Sequence, residues 1–450
     1  MKLFVKDKAF YRAYWSMTAV IALQNLITFA VNLADNIMIG GYSQSALSGV
    51  ALVNQIQFLL QMFSLGVGNG IVVLGAQYWG KKQVEPIRRV TTIGLLLAAA
   101  FGLLMAATVY LFPHQVLSLL TNEAAVIAEG AKYLVIISFS YGLFAVTTTL
   151  LSALRSVETV RIGFVVTLTA LVFNIVLNYG LIYGRLGMPE LGVEGAAIAT
   201  LISRIVEFVI VVGYVLFVDK KLRWRLKDLF CVDRSLLRDY LRVGLPLIAS
   251  NSIWGIAMSA QTAILGRLGE ETIAANSIAT TIFQVVTVVL YASANASGVV
   301  IGKTVGEGDI PRVKAYTRTL QIIYLIIGVA TGALLWLCKD AIISLYSITP
   351  LTRELTLQFV GVLSVTVIGT SYQVACLVGI VTGGGDTRFV LINDLIHQWL
   401  IVLPVSFLSA FVFEAPLVVT FICLKSDQIL KCFVAVVKVN RFKWIRVLTR

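Results

Sequence analysis

Of 450 residues, 58% are hydrophobic and 13% charged, and the mean hydropathy is +0.89, against about 45–50% apolar and about 25% charged in ordinary soluble domains. That balance excludes a water-soluble globule. At roughly 20 apolar residues per crossing of a ~30 Å hydrocarbon core, the length accommodates about twelve helices with short connections, so composition alone predicts an all-α polytopic membrane protein. A formal charge of +13 would suggest a nucleic-acid partner in a soluble protein; here it is first a matter of topology.

Long apolar runs bounded by charge or by Gly and Pro predict helices near 14–39, 46–79, 90–112, 131–154, 162–184 and 195–218. A basic stretch follows, with Lys220, Lys221, Arg223, Arg225, Lys227, Arg234, Arg238 and Arg242. Helices recur near 243–266, 272–301, 317–338, 355–381, 389–411 and 415–437. The division is therefore an N-terminal segment (1–13), an N-lobe (14–218), a basic linker (219–242), a C-lobe (243–437) and a basic tail (438–450). Prolines gather at span ends, and Pro404 is the exception expected to kink the eleventh helix.

Placing both termini in the cytoplasm puts most of the 36 lysines and arginines on that side. Only Lys132, Arg185, Arg267, Lys339 and Arg353 fall outside, which predicts that orientation in a bacterial cytoplasmic (inner) membrane. The basic N-terminal run, with Lys2, Lys6, Lys8 and Arg12, precedes a helix too long and too polar for a cleaved signal, so it is read as retained. Cys231, Cys338, Cys376, Cys423 and Cys432 show no metal spacing and read as small buried hydrophobes.

An offset of 226 residues superimposes Asn25 on Asn251, Gly40 on Gly266, Asn69 on Asn295 and Gly80 on Gly306. Gly66, Gly68 and Gly70 then meet Ala292, Ala294 and Ala296. Two six-helix copies of the same orientation follow, a parallel repeat with a cavity between its lobes.

An ionisable group at bilayer depth costs at least about 2.5–3.5 kcal/mol, so each needs a reason. Asp35, near the external end of the first span, continues a polar helical face made by Gln24, Asn25, Thr28 and Asn32. A desolvated aspartate there can exchange a proton or bind a cation; the alternative is a packing lock satisfied by neighbouring amides. Asn174 and Asn178 lie at i and i+4 on the fifth helix, able either to offer carbonyl oxygens to a cation or to act as interhelical glue. Thr200 ends a small-residue face on the sixth. Arg204 with Glu207, Lys425 and Lys431 with Asp427, and Asp394 with His397 read as structural pairs. Asn251, Trp254 and Gln261 line the seventh helix.

Enzyme motifs fail. Gly75–Lys82 and Gly298–Thr304 approach a phosphate-loop pattern but end membrane helices, and two histidines cannot make a histidine metal cluster. The chain is read as no enzyme, with no cofactor and no nucleic-acid partner.

The Asp35 segment running to Ile-Met-Ile-Gly40, the stretch Pro189–Thr200, the entry Gly244-Leu-Pro246, the turn Gly383–Arg388 and the ending Lys443-Trp444-Ile445 together resemble the multidrug and toxic compound extrusion (MATE) transporters. The resemblance covers the whole chain. It implies two pseudo-symmetric six-helix lobes, a monomer in the bilayer, and antiport of cationic, amphipathic drugs or toxic metabolites against Na⁺ or H⁺. It further implies a coupling site at Asp35, Asn174, Asn178 and Thr200, where Asn178 replaces a family aspartate. Gln24, Asn25, Asn32, Asn251, Trp254 and Gln261 are the candidate substrate-cavity residues, with cation–π attraction at Trp254. Val20 stands where many members have proline, while its repeat mate Pro246 is kept. A lipid-linked oligosaccharide flippase of the related superfamily is the alternative, and an intramembrane enzyme a more distant one.

Overall fold

A computed structural model describes residues 4–230, 233–344, 346 and 348–449; Lys2 and Cys231 lie outside the described residues. Helices dominate, and no strand occurs among the described residues. Without water in the bilayer core each backbone N–H and C=O needs an internal partner, and a helix supplies one within its own segment.

In chain order the helices are α1 (Lys8–Tyr42), α2 (Gln44–Gly80), α3 (Val84–Leu111), α4 (Pro113–Ser118), α5 (Ala124–Ser138), α6 (Ser140–Ser156), α7 (Arg161–Tyr183) and α8 (Gly192–Gly213). There follow α9 (Arg234–Gly266), α10 (Glu270–Glu307), α11 (Ile310–Ile343), α12 (Pro350–Val374), α13 (Thr387–Asp394), α14 (Leu403–Phe411), α15 (Leu417–Leu424) and α16 (Asp427–Asn440). Wider π turns extend α8 over Tyr214–Val218 and α12 over Ala375–Val381, and join α13 to α14 over Leu395–Val402.

Ten of these segments are long and apolar enough to cross a membrane, eleven with α5 and α6 taken as one span bent by 52°. The twelfth predicted span is interrupted at Lys425–Ser426, leaving pieces of 8 and 14 residues. The eleventh departs from regular α-helix in the π turns directly before Pro404, where the missing N–H would otherwise break the ladder. α9 starts at Arg234, ahead of the predicted boundary at 243, so Arg234, Arg238 and Arg242 are helical and Pro246 is inside the helix. Leu103, Leu104, Leu337 and Phe433 are each more than 60% exposed, a surface that lipid solvates and water would not.

The chain forms two compact units. One comprises Leu23–Gly75 and Gln83–Ile248. Its core gathers Val53, Leu60, Leu134, Ile137, Tyr141, Ile182 and Ala197. Gly66 and Gly70 of α2 let the backbone of α9 approach: a Cβ on Gly66 would lie 3.0 Å from the nitrogen of Ile248, and one on Gly70 3.1 Å from the Cα of Gly244.

The other unit comprises Met1–Ala22, Ala76–Lys82 and Ala249–Arg450. Phe359 stacks on Phe421 at 4.0 Å, anchoring α15 to α12 in a core with Leu265, Ile282 and Leu363. α1 changes unit after Ala22 and α9 after Ile248, positions 226 residues apart and thus equivalent in the repeat.

Candidate functional site

The first polar centre lies within the unit built on Leu23–Gly75 and Gln83–Ile248. Asn178 sits one turn beyond Asn174 on α7, so both amides share a face. The Nδ2 of Asn178 donates to Asp35 Oδ1 at 2.5 Å and to Asn174 Oδ1 at 3.1 Å. Asn174 Nδ2 in turn reaches Thr200 Oγ1 of α8 at 3.4 Å. The structure thus joins Asp35, Asn178, Asn174 and Thr200 into one chain of side chains from α1, α7 and α8.

Both amide hydrogens of Asn178 are committed, while its Oδ1 is buried with no hydrogen-bond partner. An unsatisfied buried oxygen is costly. Beside a half-buried carboxylate it makes the cluster rich in acceptors, which suits a proton or a small hard cation. Arg204 forms the expected pair with Glu207, Nη1 to Oε2 at 2.7 Å, and stands over the Phe144 ring at 5.0 Å. It is near enough to Asp35 to act on its charge. Tyr133, buried on α5 beside Thr200, is a neighbour that sequence reasoning missed; an apolar run surrounds it, and only the helix rotation reveals where its hydroxyl sits.

Gln24 packs on Gly163 of α7, where a Cβ would stand 2.8 Å from its Oε1. Asn25 is half-buried and Asn32 exposed; neither joins the Asp35 chain through a hydrogen bond among the described residues.

A second centre lies in the other unit. Gln261 Nε2 donates to Gln398 Oε1 at 3.2 Å, and Gln398 Nε2 donates to Asp427 Oδ2 at 2.6 Å. Lys431 Nζ lies 2.8 Å from Asp394 Oδ1 and 3.7 Å from Asp427 Oδ2, and Ser250 Oγ donates to Asp394 Oδ2 at 2.6 Å. Lys425 reaches Gln261 Oε1 at 3.4 Å. Two sequence expectations change here. Asp394 pairs with Lys431 and not with His397, whose Nδ1 meets the Asn393 carbonyl at 2.9 Å. Lys425 joins the network through an amide rather than through an ion pair with Asp427. Asn251 and Trp254 are half-buried on α9. Of the cysteines, Cys376 is buried and Cys338, Cys423 and Cys432 are half-buried free thiols.

An array of span-length helices, with no strand among the described residues and with buried polar centres inside the helical units, defines a polytopic helical membrane transporter. The MatE family profile matches residues 21–180 and 246–408. The chain belongs to the MatE family.

Among its relatives, the probable multidrug resistance protein NorM of Thermotoga maritima is 27% identical over 431 residues, which cover 95% of this chain and 92% of that protein. The fold superposes with a TM-score of 0.86 on a crystal structure of MATE in complex with MaL6, at 21% identity over 95% of each chain. It superposes with a TM-score of 0.87 on a MOP superfamily transporter from Pyrococcus furiosus, for which reverse polarity of the binding pocket suggests a different function, at 20% identity over 97% of this chain and 96% of that one.

Proposed function

We propose that the protein is a multidrug efflux antiporter that exports cationic, amphipathic drugs or toxic metabolites in exchange for Na⁺ or H⁺. The observation that carries this reading is the Asp35–Asn178–Asn174–Thr200 chain with its orphaned amide oxygen. An ion entering from outside binds at Asp35, with Asn178 Oδ1, then Asn174 Oδ1 and Thr200 Oγ1, as the neutral acceptors met in turn along the chain. The ion drives exchange only because it binds the outward-open and inward-open forms unequally, which favours substrate release and return. The T. maritima relative is named as a multidrug resistance protein, and this supports the same substrate breadth. Gln24, Asn25, Asn32, Asn251, Trp254 and Gln261 are proposed to contact the substrate. Both termini are placed in the cytoplasm on the strength of the lysine and arginine distribution.

The test is transport of a cationic dye in proteoliposomes with Na⁺ and pH gradients imposed separately. One of the two gradients should drive dye movement in the wild type, and neither should in Asp35→Asn reconstituted at equal density. Undiminished gradient-driven transport by that variant rejects Asp35 as the coupling group.

A further inference from the structure

The segment that follows α8 combines two features that water alone does not reconcile. Leu222 and Trp224 are buried, whereas Lys220, Arg223, Arg225, Leu226 and Phe230 are exposed, Phe230 at 90%. The segment is held to α3. Arg88 Nε donates to the Leu222 carbonyl at 2.8 Å, Trp224 Nε1 donates to Thr92 Oγ1 at 3.1 Å, and Thr92 Oγ1 donates to the Asp228 carbonyl at 3.1 Å.

Both carboxylates of the segment itself are used to shape the turn. Asp219 Oδ2 accepts from the backbone N–H of Leu222 at 2.7 Å and of Arg223 at 2.9 Å, and Asp228 Oδ2 accepts from that of Arg225 at 2.8 Å. Arg223 is held at φ +50°, a left-handed conformation that this double cap sustains. Arg223 Nε donates back to the Lys220 carbonyl at 2.9 Å, which leaves its two terminal nitrogens for a ligand. Lys220, Arg223 and Arg225 are exposed, and no ion pair involves them among the described residues.

Depth follows from α3. Thr92 lies four residues past Arg88, about 6 Å along the helix, just inside the apolar run that starts at Val90. Phe230 and Leu226, tied to that level through Asp228, are placed at the acyl boundary. Arg223, next to Leu222 at the level of Arg88, is placed among headgroups, and the long exposed side chain of Arg225 reaches that level from a backbone held at Asp228.

We propose that Asp219–Phe230 binds the phosphodiester of an anionic phospholipid, with Arg223 and Arg225 forking onto the phosphate and Leu226 and Phe230 seated against the acyl chains. Guanidinium heads interleaved with exposed aromatic and aliphatic side chains match a lipid, since a soluble polyanion would leave Phe230 in water. A net-anionic headgroup is favoured because a zwitterionic lipid brings its own ammonium to compete with the arginines.

The full-length protein in mild detergent is titrated with phosphatidylglycerol or phosphatidylcholine, and retained lipid is counted by native mass spectrometry. Wild type should retain phosphatidylglycerol over phosphatidylcholine, and Arg223→Gln/Arg225→Gln should weaken that retention by about tenfold or more. Arg267→Gln/Arg353→Gln, which removes the same charge from exposed arginines elsewhere, should leave it unchanged. Phe230→Ser should weaken retention of both lipids. Arg225→Lys, the milder change to use if the double variant does not fold, should fall between wild type and the double variant because it keeps charge but loses the fork. Equal retention by wild type and Arg223→Gln/Arg225→Gln, or by wild type and Arg225→Lys, overturns the proposal. So does an equal loss in the control pair, or displacement of phosphatidylglycerol by an equal concentration of inorganic phosphate. None of these readouts requires transport, so they stand apart from the efflux assignment.

Discussion

Asn178 donates one amide group to both Asp35 Oδ1 and Asn174 Oδ1 and leaves its own carbonyl oxygen buried without a partner. An aspartate at this position, which the resemblance implies for other members, would supply a second carboxylate; here a neutral amide orients the single one. Asn178→Ala removes a hydrogen bond to a charged group, worth about 1.5–3 kcal/mol, and should lower gradient-driven dye transport by about tenfold or more. Asn178→Asp should instead retain transport and change its dependence on Na⁺ and pH. The check is initial rates in proteoliposomes of equal protein density.

Lys431 is 3% exposed and bridges Asp394 and Asp427. Lys431→Met leaves two largely buried carboxylates without their cation and should cost about 3–5 kcal/mol of stability. The triple change Lys431→Met/Asp394→Asn/Asp427→Asn should recover most of that loss. Thermal unfolding in detergent reads both, and a Lys431→Met variant as stable as wild type would show that the pair contributes little.

The tail is anchored by burial, backbone hydrogen bonds and ion pairs. Trp444 is fully buried against Gly384, Arg446 N–H donates to the Gly384 carbonyl at 2.8 Å, and Gln77 grips the tail from α2 through Arg446 O and Leu448 N–H. Asp386 sits between Lys438 at 2.7 Å and Arg446 at 3.1 Å. Trp444→Ala should destabilise by about 3–5 kcal/mol. Gly384→Ala, which drives a methyl into the indole ring, should expose the tail to protease under conditions where the wild type resists.

Asp7 caps the start of α1 and accepts the Tyr316 hydroxyl at 2.5 Å. That bond, aided by the backbone N–H groups of Phe10 and Ala9 and by Arg312, holds its carboxyl below the usual carboxylate range. A lowered folded value means stabilisation that is complete above the ordinary aspartate range, about 3.9, and is lost as pH falls through the folded value. Protection of the Ala9 and Phe10 amides, read as their exchange relative to the free peptide at the same pH, should fall in the wild type as pH drops through the folded value. Asp7→Asn should show low protection at every pH, without that step.

Some of this was legible in residues. The membrane class, the spans, the repeat and the singular position of Asp35 follow from local hydropathy and spacing, because a lipid-solvated helix must be apolar along its length and satisfies its own backbone. The break at Lys425–Ser426 and the extension of α9 back to Arg234 escaped that reading. Mean hydropathy does not see where a ladder is interrupted or where a charged turn stays helical.

What the amino-acid sequence by itself determined, then, was the solvent of each segment and the polar face of α1. Only the tertiary structure decided who meets whom: Asp394 with Lys431 rather than with His397, Asp386 with the tail, and Asn178 with Asp35 while one oxygen stays unpartnered. The physical reason is that a membrane helix is complete in its backbone hydrogen bonds. Its rotation and register against its neighbours are therefore set by side-chain packing across helices, to which local periodicity is blind.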